Sequence, residues 1–488
     1  MRIETLMIME YLYALLLYMA LIGSFSLLII ELFPGLHKLR KPAAAAWVTT
    51  LTLLWIELPT EGRWVLSIWS PTIVLDGQLL LDMTPAVWWC GLALGAALSG
   101  AAWAEVAERH PPLPLSGVLM LTGLLTAWLA LTSGSLLTTL ASWATFDLLW
   151  GVAGLMAGGE SERVTFSLTI HGATSIILWI VFLLLKPRGV SVLWWLMWPP
   201  HPMRTLLIIA ALLRIGFYPF QAVFTPNRYS PRRTRVPQRT GAFPTLILIY
   251  LMGPILGIAL VYRLLALPAV NVLPQWSVLW GVISLLWGGI VAWSQRGSHV
   301  SHGSQTSHGW HSVLWGGYGL LGIIVGGALV SGTEALLLKG TAVWIIAEAL
   351  LITAQGRQRR AFIWSWPAML GLFFLLGIPP SPIGMLFRHL QDGLPWHWRI
   401  LSVAGSVLIG AALLHRMMRK ATGYVPQPWP WQRLCYVIGY TLPLLIMIIL
   451  PLAEQFPNVS SYMQANLHVD ANKVNPMNKI HPYKLSWT

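Results

Sequence analysis

LLRIGFYPFQAVF, residues 212–224, lies in the middle of a hydrophobic chain and carries three features that a lipid-facing helix avoids. Arg214 is a fixed cation, which costs about 2.5–3.5 kcal/mol at the centre of a bilayer on insertion scales. Pro219 lacks a backbone donor, so a helix running through it leaves the carbonyl of Ile215 without a partner. Gly216 loosens the turn between the two. An open carbonyl beside a buried charge is tolerated only inside protein or next to water. Two readings follow: a broken helix on an ion path, or a Pro-kinked packing helix whose Arg reaches back to the surface.

The surrounding chain favours a membrane setting. Its 488 residues are 56% hydrophobic and 10% charged, against roughly 25% charged for a soluble domain. The apolar segments between turn signals reach the ~17–25 residues that a membrane-crossing helix needs. Runs of alternating polarity are missing, which disfavours an outer-membrane barrel. The net charge of +14 sits mostly in short loops, where it sets orientation rather than binding nucleic acid. Many of the 28 tryptophans, including Trp69, Trp88, Trp89, Trp194, Trp195 and Trp198, fall near expected span ends, as in an interfacial belt. Cys90 and Cys435 belong to separate spans and make neither a disulfide framework nor an iron–sulfur motif. The first apolar run is long enough to be a span rather than a cleaved signal.

The expected class is therefore an all-α polytopic membrane protein with about fourteen transmembrane helices. They are placed near 7–31, 43–58, 84–105, 114–132, 135–157, 164–185, 203–224, 242–264, 274–295, 310–330, 333–354, 362–386, 398–416 and 434–452. Residues 62–82 read as a partly extended excursion with a turn at Asp76-Gly77, and 190–200 as a Trp-rich interfacial segment. The polar tail, 454–488, reads as an extended or loosely folded arm. Lys and Arg concentrate in loops after odd-numbered helices, for example Lys38, Arg40 and Lys41, then Arg228, Arg232, Arg233, Arg235 and Arg239. That bias puts odd loops in the cytoplasm and both termini outside. His299, His302, His308 and His311 lie in a Ser/Gly-rich segment without rigid spacing, which reads as a solvated loop rather than a metal site.

Several charges fall inside expected spans. Asp147, in the fifth helix, is a candidate partner for Arg214; such a pair either switches with a moving proton or only fixes helix packing. Ser167, His171, Thr174 and Ser175 share one stripe of the sixth helix. His171 can change charge near neutral pH, so the stripe reads as a proton path or as interhelical hydrogen bonding. Lys339, in the eleventh helix, is of the residue type that can release a proton at a buried site, and it competes with a snorkelling reading. Glu348 is nine positions on and out of phase; Glu334 and Glu348 read as caps or flanks. The twelfth helix holds LLGIPPSPIGM, residues 375–385, where Gly377, Pro379 and Pro380 make a second break. Two interrupted helices in corresponding halves point to an inverted repeat with an ion path at the break.

These motifs resemble one family. RIGFYPFQ is similar to the K-x-G-x-x-P-F-H signature of the antiporter-like subunits of respiratory complex I, a family that includes Mrp-type cation antiporters and membrane subunits of energy-converting hydrogenases. Asp147 stands where that family has a fifth-helix acid, and AFPTLILIYLMGPILGIALVYR resembles the next helix, ending in Arg263. LLLKGTAV is similar to its H-x-x-x-K-A segment, and LLGIPPSPIGM to L-x-G-I-P-P-x-x-G-F. The resemblance covers roughly residues 80–390, and its form and length favour the subunit N (mitochondrial subunit 2) type, with subunit M second. It implies two inverted five-helix repeats with helices 7 and 12 broken: 1–105 for helices 1–3, 106–264 and 265–396 for the repeats, 397–453 for the last helices and 454–488 for the tail. It also implies proton translocation, for which Asp147, Arg214, Lys339 and His171 are the candidate residues. NADH, FMN, iron–sulfur clusters and quinone would then reside in partner membrane-complex subunits, with no cofactor, metal or redox chemistry in this chain. The composition adds a hint of a bacterial plasma membrane. The departures are specific. The central seventh-helix Lys is Arg214, which does not release its proton; the eighth-helix Lys position is Ile255; and strict spacing from Ser135 puts Ala144, not Asp147, at the fifth-helix acid. Three functions follow: a proton-translocating subunit, an inert structural member of the same assembly, or an Mrp-like cation/proton antiporter.

Overall fold

A computed structural model describes residues 2–65, 80–107, 115–156, 161–186, 191–220, 244–267, 275–294, 308–355, 366–377, 381–418 and 430–455. The turn at Asp76-Gly77, Trp69, the basic segment 228–239, His299 and His302, Pro379, Pro380 and the tail beyond 455 lie outside the described residues.

Fifteen α-helices appear among the described residues. In chain order they are α1 Arg2–Leu32, α2 Arg40–Ile56, α3 Pro85–Val106, α4 Ser116–Leu131 and α5 Leu136–Met156. Then come α6 Ser161–Leu185, α7 His201–Ile215, α8 Pro244–Leu265, α9 Gln275–Ser294 and α10 His308–Ser331. The last five are α11 Glu334–Gln355, α12 Trp366–Leu375, α13 Pro382–Gly393, α14 Trp396–Met418 and α15 Pro430–Gln455. Nine of these are long and apolar enough to cross a membrane, and the protein is a multi-pass membrane protein. The expected twelfth helix is two, α12 and α13, which accounts for the difference from fourteen.

The breaks are made differently from the expectation. The seventh helix does not run through Pro219. It stops at Ile215 because Gly216 adopts φ 83°, ψ 38°, a left-handed conformation that glycine enters without a Cβ penalty. The amides of Gly216 and Phe217 then close back on the carbonyls of Leu213 and Leu212 at 3.1 and 3.2 Å. Beyond the break, Ser284 Oγ accepts from the Tyr218 amide at 2.8 Å, and Trp280 Nε1 donates to the Tyr218 carbonyl at 2.5 Å. Buried backbone freed from one helix is thus satisfied by side chains of α9, as a membrane interior requires. Gly377 repeats the device after α12 with φ 71°. Ser381 joins the two halves there: its hydroxyl donates to the Phe374 carbonyl and accepts from the Gly384 amide, at 3.0 and 3.3 Å.

The excursion 62–82 contains a small hairpin, β1 Gly62–Val65 antiparallel to β2 Leu80–Met83, with Arg63 opposite Asp82. The segment 190–200 holds a short 3-10 turn, Trp194–Leu196, with Trp194 buried and Trp198 exposed. The Trp belt is only part of the account. Trp55, Trp128, Trp143 and Trp344 are completely buried. Several indoles tie helices together: Trp55 Nε1 to the Trp88 carbonyl, Trp128 Nε1 to that of Gly91, and Trp344 Nε1 to that of Gly317, at 3.0, 2.9 and 3.0 Å.

Residues Met1–Met447 form one compact unit. Within it α8 packs against α3, α4, α5, α7, α10 and α11, while α11 packs against α3, α8, α10, α12 and α13. Both helices are accordingly buried on every side: Leu251–Leu265 and Gly340–Thr353 are buried without interruption, and they carry few polar residues. The second unit, Ile448–Thr488, contributes only the end of α15 to the described residues.

Candidate functional site

Helices α5, α6 and α7 bring three of the four expected site residues together. Asp147 Oδ1 lies 2.5 Å from Arg214 Nη2 and 3.1 Å from His171 Nδ1. Its other oxygen accepts from Ser175 Oγ at 2.8 Å. Arg214 also reaches the Trp143 and His171 carbonyls and Thr174 Oγ1, at 3.4, 3.5 and 3.4 Å. The side chains of Arg214 and His171 are fully buried, whereas that of Asp147 is 15% exposed and forms the outer edge of the cluster.

The local sequence explains this placement. Arg214 is the penultimate residue of α7, so its charge also sits at the negative end of a helix dipole. The α6 stripe is fully used: Ser175 and His171 bond the carboxylate, Thr174 meets Arg214, and Ser167 accepts from Trp150 Nε1 at 2.7 Å. The spacing Trp143-Phe146-Asp147-Trp150 puts aromatic rings around the ions. The Arg214 guanidinium carbon lies 4.7 Å from the Trp143 ring centre and 5.6 Å from that of Phe146. The His171 ring lies 5.2 Å from that of Trp150. Cation–π contact of this desolvated kind is worth about 2 kcal/mol and helps hold a cation that cannot lose its proton.

The register question on α5 is answered by geometry: Ala144 faces outward and Asp147 meets the arginine. Ile255, at the expected eighth-helix Lys position, is completely buried. Lys339 is not part of the cluster. It sits five residues into α11, half-buried. Between them stands α8, whose buried stretch Leu251–Leu265 is apolar apart from Tyr262 and Arg263.

Sequence reasoning missed Asp82 and misplaced Glu348. Asp82 on β2 binds Arg263 Nη1 at 2.6 Å and Arg63 Nε at 3.1 Å; Arg263 also donates to the carbonyls of Asp82 and Leu131. Glu348 is completely buried in α11 rather than capping it. For both, the signal was an acid inside an apolar run. Among the described residues no cluster of His, Cys, Asp and Glu suited to a metal ion occurs.

No protein-family model and no curated protein sequence matches the chain. Solved structures do. A chain of respiratory complex I from Thermus thermophilus with bound NADH aligns with a TM-score of 0.64 at 13% identity, covering 90% of this chain and 99% of that one. A chain of the Mrp complex from Dietzia sp. DQ12-45-1b aligns at 0.62 and 13%, over 94% and 60%. A chain of the membrane-bound sulfane sulfur reductase, an archaeal respiratory membrane complex, aligns at 0.62 and 12%, over 95% and 86%. At such identities the likeness is one of fold. The protein is a polytopic membrane protein with the fold of the antiporter-like membrane subunits of complex I, Mrp and related assemblies.

Proposed function

We propose that the chain is a proton-translocating, antiporter-like subunit of a complex I-type assembly in a bacterial inner membrane, with both termini on the outer side. In this reading it binds other membrane subunits and couples quinone reduction in its partners to proton movement. The electron donor, NADH or ferredoxin, the flavin and the iron–sulfur clusters belong to those partners. The supporting observation is the buried Asp147–Arg214 pair at a broken helix, with His171 bonded to the same carboxylate. Arg214 supplies the fixed cation beside the Asp147 carboxylate. His171 is the member of the cluster whose residue type exchanges protons. Asp147 Oδ1 accepts from both Arg214 and His171 Nδ1, so a proton arriving on His171 Nε2 adds a second cation beside one carboxylate and sharpens the competition for that oxygen. That competition is the electrostatic switch. Lys339 is assigned the carrier role in the second half, beyond α8.

A second reading, a structural subunit with an inert channel, is favoured by the apolar stretch of α8 between the cluster and α11. Proton pumping by the whole complex in reconstituted vesicles separates the two. For Asp147→Asn and Lys339→Ala, electron transfer that persists while pumping falls supports translocation. Unchanged pumping in both variants, with the complex intact, makes this subunit a scaffold.

A further inference from the structure

Glu348 lies seven residues before the end of α11, about 10 Å inside it at 1.5 Å per residue. It is completely buried, and neither carboxyl oxygen has a hydrogen-bond partner among the described residues. The carboxyl group rests against Gly317 of α10, where a Cβ would collide with Oε1. The nearby Gly317 carbonyl is already taken by Trp344 Nε1 at 3.0 Å.

Among the described residues, no charged group on the helices packed against α11 bonds Glu348. Their described titratable groups are Cys90 and Glu105 on α3, Tyr262 and Arg263 on α8, Tyr318 on α10, and Arg388, His389 and Asp392 on α13; α12 has none. Glu334 and Lys339 are on α11 itself, and Tyr440 of α15 reaches the Thr353 carbonyl. None of them bonds Glu348. An ionised carboxylate without a partner is the costliest group a protein interior can hold, and it neutralises instead by taking a proton.

We propose that Glu348 is a second proton-binding site of this chain, separate from the Asp147 cluster, holding a proton as the neutral acid and exchanging it along the α10–α11 contact. The proposal rests on the proton-handling reading above and names a group in the second half better buried than Lys339.

The test is infrared difference spectroscopy on the full chain in its native complex, in H2O and D2O. The expected result is a protonated-carboxyl C=O stretch that shifts down in D2O, disappears in Glu348→Gln and persists in Asp147→Asn. Gly317→Ala, which presses on the carboxyl, is expected to move the band without removing it, and serves alone if Glu348→Gln does not assemble. Absence of the band, or a band indifferent to Gly317→Ala, overturns the assignment. A band that never shifts in D2O identifies a locked, structural acid. Loss of the band on adding sodium at fixed pH identifies a metal-cation site instead. The readout is the bound proton itself, so failed pumping with an exchanging Glu348 would sink the translocation reading and leave this one standing.

Discussion

At the scale of the residue, the central fact is one carboxylate serving two bases. Asp147 compensates Arg214 and orients His171, and breaking such a pair leaves a buried charge alone. Asp147→Asn should therefore lower stability by about 3 kcal/mol, measured by thermal unfolding in detergent. Replacing both partners, as Asp147→Leu with Arg214→Met, should recover most of that loss, because a buried ion pair is often no better than a packed apolar pair. A double variant as unstable as the single one would mean that the hydrogen bonds to Ser175 and Thr174, rather than the charges, hold α5, α6 and α7 together.

At the scale of the element, the two broken helices owe their ends to glycine. Gly216→Ala places a Cβ in the left-handed region and should cost about 1–2 kcal/mol. Gly172, in the interior of α6, has open space where its Cβ would go. Gly172→Ala should be neutral or stabilise by up to about 1 kcal/mol. Melting temperatures of the two variants in the same detergent give the comparison, and equal destabilisation would refute the role given to Gly216. Ser381 acts on the second break both as the N-cap of α13 and as a donor to α12. Ser381→Ala should cost about 1 kcal/mol, seen as earlier thermal aggregation.

At the scale of the whole molecule, a second ionic knot fastens the hairpin to the bundle. Asp82 joins β2 to Arg263 at the end of α8, and Arg263 in turn reaches the Leu131 carbonyl at the end of α4. Asp82→Asn should cost about 3 kcal/mol while leaving the Asp147 cluster intact. The same infrared experiment on Glu348 should then be unchanged, whereas unfolding shifts downward.

Much of this was legible in the chain. Helix positions follow from apolar length, since a bilayer admits only segments that satisfy their own backbone. LLRIGFYPFQAVF and LLGIPPSPIGM announced both breaks, and the α6 stripe announced its partners through helical spacing. Which residue ends a broken helix was not legible, because glycine and proline stand three positions apart and only the backbone angle at Gly216 chooses between them. Asp147 was a candidate partner of Arg214 in the sequence; that the two meet depends on the rotation of α5 against α7, which turns Ala144 outward and Asp147 inward. The same holds for Glu348. An acid in an apolar run can cap, flank or be buried, and its burial against Gly317 exists only because α10 and α11 approach closely there. Sequence alone determined that this chain lies in a membrane as a bundle of helices, because hydrophobic transfer acts residue by residue. Tertiary structure alone decided which charges meet, because that depends on which helix faces are turned toward each other.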